Sequence, residues 1–185
     1  MSSSKVDILH INESKLDSTV RDDEVYIPGF EIVRKDRKIN GRNGGGVCTY
    51  VRTNLNYRIR NDLNNDLLES LFVEISKPRS TSFLVGAWYR PPSSLPNLFS
   101  EFENVIAKID AENKELYLLG DINCNLLPEA ITVNSSHLIN IFDIYGLMSC
   151  LHLSFYQGKN LLRSSYLTLV QVDLSTLPLS ALSTS

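Results

Sequence analysis

Six short apolar runs, each stopped by a turn signal or a polar stretch, follow one another through the first 120 residues of the chain. Their lengths of four to seven residues and their content of Val, Ile, Phe and Tyr are typical of β-strands. A Pro-Gly pair precedes the second run and a Pro-Pro pair stops the fifth, as expected where a strand begins or ends. The pattern predicts strands at Val6–Ile11, Phe30–Val33, Val47–Val51, Leu71–Ile75, Phe83–Tyr89 and Leu116–Leu119.

Two later segments carry apolar residues at helical spacing. Between residues 95 and 109, Leu, Phe, Val and Ile recur every three or four positions and form one apolar stripe. A second stripe runs from Leu138 to Tyr145, with Gly146 as its C-terminal stop. The N-cap of this helix is expected among Asn134, Ser135 and Ser136. With more strands than helices, the chain is predicted to be a mixed α/β protein with extensive sheet.

Composition excludes several classes of protein. The chain has 185 residues, 18 Lys+Arg against 21 Asp+Glu and 43% hydrophobic residues, which is ordinary for a globular domain and argues against a basic nucleic-acid-coating protein. No apolar run approaches the roughly 18 residues of a membrane span, and the N-terminus carries no signal-peptide pattern. Three cysteines without a C-x-x-C pair favour a reducing compartment. We therefore expect an intracellular protein that is not secreted, with no membrane contact and no stable protein partner implied.

The last part of the chain differs from the rest. Residues 153–185 contain only three of the 39 charged residues, and Leu, Ser and Thr dominate without a strand or helix period. We predict a domain over residues 1–152 and a low-charge tail over 153–185 that is not part of its fold.

The strongest candidate for chemistry follows the sixth strand. Asp121 and Asn123 come directly after Gly120, two positions apart, so both face one side at the carboxyl end of a strand. Ligands of α/β folds often bind at this edge of the sheet. An Asp can orient a water or hold a metal, and an Asn can donate to a phosphate oxygen. The alternative is an Asx-type turn that only ends the strand.

Two other strand ends carry polar groups. Glu13 follows the first strand, where a single exposed Glu is more commonly just solvated. Tyr89 and Arg90 follow the fifth strand, and both can donate to a phosphate. The alternative for this pair is an aromatic residue at a strand end followed by a turn. Taken together, the oxygen-rich strand ends would suit Mg²⁺, with Mn²⁺ as a substitute.

Between the second and third predicted strands lie a basic run and a glycine turn. Arg34–Lys38 is basic enough to contact a DNA backbone, although charged runs are commonly solvated surface. Gly44–Gly46 leads into a strand and is not followed by Lys-Ser/Thr, so it predicts a tight turn and not a phosphate-binding loop.

Seven short motifs in order resemble the endonuclease/exonuclease/phosphatase family, and specifically the apurinic-type endonuclease domain of non-LTR retrotransposons. The resemblance covers roughly residues 5–152. The motifs are Asp7–Asp17, Ile27–Phe30, Arg34–Arg37, Gly44–Val47, Tyr50–Arg52, Tyr89–Pro92 and Gly120–Asn123.

The resemblance implies a four-layered α/β sandwich of two packed sheets flanked by helices. It implies that Glu13 binds Mg²⁺, that Tyr89 contacts the scissile phosphate, that Asp121 positions the attacking water and that Asn123 holds the phosphate. Arg90 is a further phosphate or DNA contact. The implied reaction is hydrolysis of a DNA phosphodiester, which nicks a target strand for retrotransposition.

The departures from the family imply an incomplete sandwich. Only 12 residues precede Glu13, too few for the family's first strand, its Asn and the following helix. The family's closing Asp and Ser-Asp-His motif has no counterpart, since His10, His137 and His152 lie in other contexts. We therefore expect a fragment truncated at both ends with weak or no activity. The alternatives are a phosphatase or phospholipid phosphodiesterase of the same fold, and a non-catalytic relic.

Overall fold

The computed structural model describes residues 6–37, 44–92, 94–124, 126, 131–151 and 166–171. Nine strands and two α-helices lie in these residues, together with short 3-10 turns. The strands are β1 (Ile8–Asn12), β2 (Phe30–Lys35), β3 (Val47–Arg52), β4 (Asn56–Ile59), β5 (Glu69–Ser76), β6 (Phe83–Tyr89), β7 (Leu116–Asp121), β8 (Leu147–Leu151) and β9 (Tyr166–Gln171). The helices are α1 (Asn97–Asp110) and α2 (Val133–Ile144).

The strands form two sheets. The smaller is antiparallel with the order β1-β3-β2, and the larger has the order β4-β5-β6-β7-β9-β8. Within the larger sheet only β6 and β7 run parallel, and α1 provides the crossover that a parallel pair requires. The carboxyl ends of β6 and β7 therefore lie side by side at one edge.

Alternation along the central strands separates two cores. On β5, Leu71, Val73 and Ile75 face the smaller sheet, and Phe72 faces the helices. On β6, Val85 faces the smaller sheet. Because both faces of β5 and β6 are buried, these strands carry nearly continuous apolar runs, which are a strong local signal in the sequence.

The helices cover the outer face of the larger sheet. The stripe of α1 is buried against Trp88, whose ring stacks on Phe102 with 3.8 Å between centroids. Truncating either side chain to Ala would cost about 3–5 kcal/mol. The N-cap of α2 is Thr132, whose side chain accepts from the Ser135 backbone at 3.2 Å, so the expected N-cap was wrong by a few residues. Gly146 follows the helix with φ +61, as a C-terminal stop requires.

Three strands were not predicted from sequence. β4 is the polar segment Asn-Tyr-Arg-Ile at the sheet edge, and β8 follows α2 directly. β9 lies within the predicted tail and pairs with β7 and β8. Its alternating Tyr-Leu-Thr-Leu-Val-Gln sequence suits a strand, and β7 would otherwise leave a row of unpaired backbone groups. For residues 166–171 the structure thus differs from the expected separate tail. The rest of 153–185 lies outside the described residues, and the boundary near 152 stays a prediction.

The α/β fold of two packed sheets with helices is confirmed. Both described α-helices lie on the larger sheet, and the segment around the 3-10 turn Asp22–Val25 contacts the smaller sheet through the Tyr50 hydroxyl, which donates to the Val25 carbonyl at 2.7 Å. Among the described residues, none of the helices is both long and apolar enough to cross a membrane.

Candidate active site

Four of the five predicted site residues meet at one edge of the sandwich. Tyr89 ends β6 and Asp121 ends β7, and the two are partners in the parallel ladder. Glu13 directly follows β1 of the other sheet and accepts a hydrogen bond of 2.7 Å from the Tyr89 hydroxyl. Asn123 lies two residues beyond Asp121 and donates from its backbone N–H to the Asp121 carboxylate at 3.0 Å. The site therefore spans the gap between the two sheets.

Asp121 is held in an environment that disfavours its charge. Burial raises the pKa of its carboxyl, and the nearby charge of Glu13 raises it further, while the hydrogen bond from the Asn123 backbone acts in the opposite direction. The same hydrogen bond is the Asx-type contact that the sequence left as an alternative. The turn and a functional carboxylate are thus compatible, because the turn fixes the direction of the side chain.

Tyr89 is held as a neutral hydrogen-bond donor. Its side chain is buried between the sheets. Burial raises the pKa of its phenol, and the hydrogen bond to Glu13 and the charge of that carboxylate raise it further. The phenol therefore keeps its proton at neutral pH and fixes one oxygen of the Glu13 carboxylate.

The loops at this edge adopt strained backbone conformations. Glu13, Lys15 and Asn123 have φ values of 51°, 55° and 50°, three of the five left-handed residues other than glycine in the described part of the chain. Each such residue costs roughly 1–2 kcal/mol. Local hydrogen bonds offset this cost, since the Lys15 N–H donates to the Gly45 carbonyl at 2.9 Å and the Asn123 amide donates to the Arg90 carbonyl at 2.9 Å. Such clusters of strain are typical of functional sites.

Arg90 does not join the site, and its predicted phosphate contact is not consistent with its position. Its side chain is 1% exposed and lies on the helix side, with the guanidinium 4.6 Å from the Phe99 ring centroid. It donates to the carbonyls of Ile122 and Ser94 at 3.3 and 3.2 Å. The reason is the strand alternation, which places residue 90 on the face opposite Tyr89. Arg90 instead supports the loops that follow β6 and β7.

Two site residues were missed by the sequence analysis. Glu69 begins β5 as the ladder partner of Tyr89, and it faces the gap between the sheets together with Tyr89 and Asp121. Arg37 follows β2, and its Nε donates to the Glu69 carboxylate at 2.6 Å. The signal for Glu69 was its spacing of two residues from Leu71, which places both side chains on one face. Arg37 belongs to the run Arg34–Lys38, for which both a DNA-backbone contact and solvated surface had been considered, but its pairing with a residue 32 positions away has no local signal.

The two described histidines have partners other than these carboxylates. His10 on β1 is enclosed between the sheets and contacts Thr49 at 3.2 Å and Asn12 at 2.7 Å. Burial lowers its pKa, so its ring is neutral at physiological pH. His137 lies on α2, 5.6 Å from the Phe99 ring between centroids. His152 lies outside the described residues.

The donor set suits one hard divalent cation. Glu13 and Asp121 supply two carboxylates close enough for the charge of one to raise the pKa of the other. The described residues contain no group of three or more His, Cys, Asp or Glu side chains arranged to hold a metal. Mg²⁺ does not need such a cage, because it takes one or two carboxylates and completes its shell with water and substrate phosphate. The residues present therefore fit Mg²⁺ better than zinc.

Comparison with solved structures places this site on a known fold. The chain is similar to the AP endonuclease LMAP from Leishmania major, with a TM-score of 0.70 and 15% identity over 91% of this chain and 70% of that one. It is similar to the endonuclease domain of TRAS1, a telomere-specific non-LTR retrotransposon, with a TM-score of 0.63 and 15% identity over 90% and 73%. It is also similar to a mannosyl-6-phosphatase from Bacteroides thetaiotaomicron, with a TM-score of 0.58 and 14% identity over 90% and 72%.

These similarities confirm the predicted fold. The chain has the fold of the endonuclease/exonuclease/phosphatase proteins, at low sequence identity. No family model matches the sequence, and no curated protein matches it. The fold thus includes both nucleases and phosphatases, and the choice between them depends on the chemistry of the site.

Proposed function

We propose that the site formed by Glu13, Tyr89, Asp121 and Asn123 hydrolyses a phosphodiester of DNA with the help of Mg²⁺. The observation that carries the proposal is the meeting of two carboxylates, a phenol and an amide at adjacent strand ends, joined by the 2.7 Å hydrogen bond from Tyr89 to Glu13. Among the described residues, neither Glu13 nor Asp121 has an ion-pair partner.

Each side chain has a distinct role in this proposal. Glu13 would hold Mg²⁺, with the charge of Asp121 nearby adding to the attraction, and when bound the ion supplies charge stabilisation for the phosphate and the leaving oxygen. Asp121 orients the attacking water and accepts its proton, and the raised pKa of its carboxyl makes it a better base than an exposed Asp. Tyr89 donates its single hydroxyl proton to Glu13 and so fixes that carboxylate beside the phosphate. Asn123 uses one amide hydrogen for the Arg90 carbonyl and has a second for a phosphate oxygen.

The proposed substrate is duplex DNA, and the proposed reaction is a nick of the kind that primes reverse transcription in a non-LTR retrotransposon. The similarity to the TRAS1 endonuclease domain supports this branch of the fold, as do the ordered motifs of the sequence. We expect the rate to be low, because the two described histidines, His10 and His137, are engaged with Thr49 and with the Phe99 ring.

A phosphatase is the second candidate, favoured by the similarity to the mannosyl-6-phosphatase. Both reactions would use the same carboxylates and differ in the group that leaves phosphorus. The products therefore separate the two, since a nuclease nicks a plasmid and a phosphatase releases inorganic phosphate.

The test is conversion of supercoiled plasmid to the nicked form with Mg²⁺, run in parallel with phosphate release from a sugar phosphate. We expect slow nicking that EDTA stops and that Asp121→Asn abolishes. The matched control is Asp143→Asn, at an exposed position on α2, which should nick as the wild type does. Nicking that survives in Asp121→Asn would refute the proposal. Phosphate release without nicking would favour the phosphatase, and neither product would favour the relic.

A further inference from the structure

The guanidinium of Arg37 occupies a space that only glycine leaves open. A Cβ built on Gly45 would overlap the Arg37 guanidinium, so any other residue at this position would displace it. Gly45 has φ +87, which a residue with a side chain rarely adopts. The turn Gly44–Gly46, which the proposed reaction leaves unexplained, therefore provides room for this arginine.

Glu69 fixes both the arginine and the turn. One carboxylate oxygen accepts from Arg37 Nε at 2.6 Å, and the other accepts from the Gly46 backbone N–H at 2.7 Å. Glu69 is itself the ladder partner of Tyr89. These contacts place Arg37 Cζ 5.8 Å from the centroid of the Tyr89 ring, beside the phenol that reaches Glu13.

The guanidinium has donors left over for a ligand. Arg37 Nη2 lies 2.6 Å from the same Glu69 oxygen that Nε uses, so this side of the guanidinium is occupied by the ion pair. Among the described residues Nη1 makes no hydrogen bond, although it carries two of the five N–H donors of the side chain. Phosphate oxygens are natural acceptors for a guanidinium.

Local charge also calls for a cation here. Glu13 and Asp121 give this edge of the sandwich two carboxylates that have no ion-pair partner among the described residues and that repel a phosphate. A positive charge next to Tyr89 would reduce this repulsion at the point where the phosphate must approach. The side chain of Arg37 is 18% exposed, so its outer edge is accessible to a ligand.

We infer that Arg37, held by Glu69 and given room by Gly45, contacts the phosphate of the bound substrate next to Tyr89. This inference rests on the proposed function and assigns to Arg37 the contact that the sequence had assigned to Arg90. The inference also explains the turn Gly44–Gly46, because this turn positions the phosphate-binding guanidinium.

The test is the salt dependence of binding to a labelled short DNA duplex, measured by fluorescence anisotropy with Ca²⁺ in place of Mg²⁺. Loss of one phosphate contact makes the slope of log K against log salt less negative by about 0.9. We expect this change and an affinity about tenfold weaker for Arg37→Gln. Arg37→Lys, which keeps the charge, should retain most of the slope.

Gly45→Ala tests the position of the guanidinium without removing any charge. It should also weaken binding and reduce the slope, because the new methyl group displaces Arg37. The matched control is Gly29→Ala, which imposes similar backbone strain at φ +83 where no atom lies within 4 Å. Gly29→Ala should bind as the wild type does.

An unchanged slope in both Arg37→Gln and Gly45→Ala would overturn the inference, even if stability fell, since a purely structural arginine does not alter counterion release. That result together with Asp121-dependent nicking would refute the role of Arg37 and leave the proposed function intact. Nicking that is equally fast in the wild type and in Asp121→Asn would refute the proposed function itself.

Discussion

The two ends of the sandwich carry acidic residues in opposite situations. At the end away from the site, Glu74 is buried with 7% of its side chain exposed and is surrounded by cations. It accepts from Arg58 at 2.7 Å, from Arg60 at 3.0 Å and from Lys114 at 3.0 Å. Burial alone would raise the pKa of Glu74, but hydrogen bonds from Ser82, Arg58 and Lys114 lower it to about 2.

At the site end the balance is reversed. In the described part of the chain, neither Glu13 nor Asp121 has an ion-pair partner, and burial and mutual repulsion raise the pKa of Asp121. One end of the sandwich therefore uses its charges to stabilise the fold, and at the other end Glu13 and Asp121 stay without a compensating cation among the described residues. This difference in pairing shows which acidic cluster is available to a ligand. The number of acidic residues alone does not show it.

The largest expected effect is on catalysis at the site end. Glu13→Gln and Asp121→Asn should each lower the Mg²⁺-dependent nicking rate by about 10²–10⁴-fold. The nicking rate of the double variant should be only slightly lower than that of the less active single variant, because the two groups act as a unit. Rates measured over time with supercoiled plasmid check this. Multiplicative losses would indicate that the two carboxylates act independently.

The next effect is on stability at the opposite end. Arg60→Ala should lower the free energy of unfolding by about 3–5 kcal/mol, because it removes a buried cation from Glu74 and Glu112. Arg58→Ala is the control, since 66% of its side chain is exposed and its loss should cost no more than about 1 kcal/mol. Urea denaturation followed by circular dichroism measures both. Equal costs would mean that the two arginines contribute alike and that burial of Arg60 is unimportant.

The amount of structure that can be predicted from the sequence differs between regions of the chain. The six predicted strands and both helices exist, because strands buried on both faces and an apolar stripe such as that of α1 leave strong local patterns. β4 left a weak pattern, since pairing at a sheet edge depends on backbone hydrogen bonds more than on side-chain type.

Site residues could be predicted from the sequence only where they belong to a recognisable motif. Glu13, Tyr89, Asp121 and Asn123 were identified because strand ends and an ordered set of motifs pointed to them. Arg90 was misplaced, because a one-residue step along a strand reverses the face. Arg37 could not be assigned, since its contact with Glu69 is created by the packing of two sheets.

Acid sensitivity should come from Glu74. Its pKa is lower in the folded chain than its ordinary 4.5, so the unfolded chain binds more protons and stability rises with pH over this window. The contribution is present above about pH 4.5 and is lost as the pH falls toward 2, on the order of 2 kcal/mol. Urea midpoints between these pH values should fall less steeply in Glu74→Gln. An identical pH dependence in wild type and variant would contradict the assignment.

Removing the charge of Asp121 should stabilise the fold. The raised pKa of this carboxyl means that its ionised form costs stability above its unfolded pKa. Asp121→Asn keeps an oxygen for the Asn123 N–H and should raise the free energy of unfolding by roughly 1 kcal/mol at pH 7. Asp143→Asn should leave it unchanged. A destabilised Asp121→Asn would show that the carboxylate is structural.

The most direct test of the uncompensated carboxylates is a titration of stability with Mg²⁺ at constant ionic strength, using urea unfolding of the wild type, Glu13→Gln, Asp121→Asn and Glu74→Gln. A ligand that binds only the folded chain stabilises it by about 0.4 kcal/mol when its concentration equals its dissociation constant, and by more as the concentration rises. We expect this increase in the wild type and in Glu74→Gln, and its loss in Glu13→Gln and Asp121→Asn. A wild type that does not respond to Mg²⁺, or an equal response in all four proteins, would contradict the account.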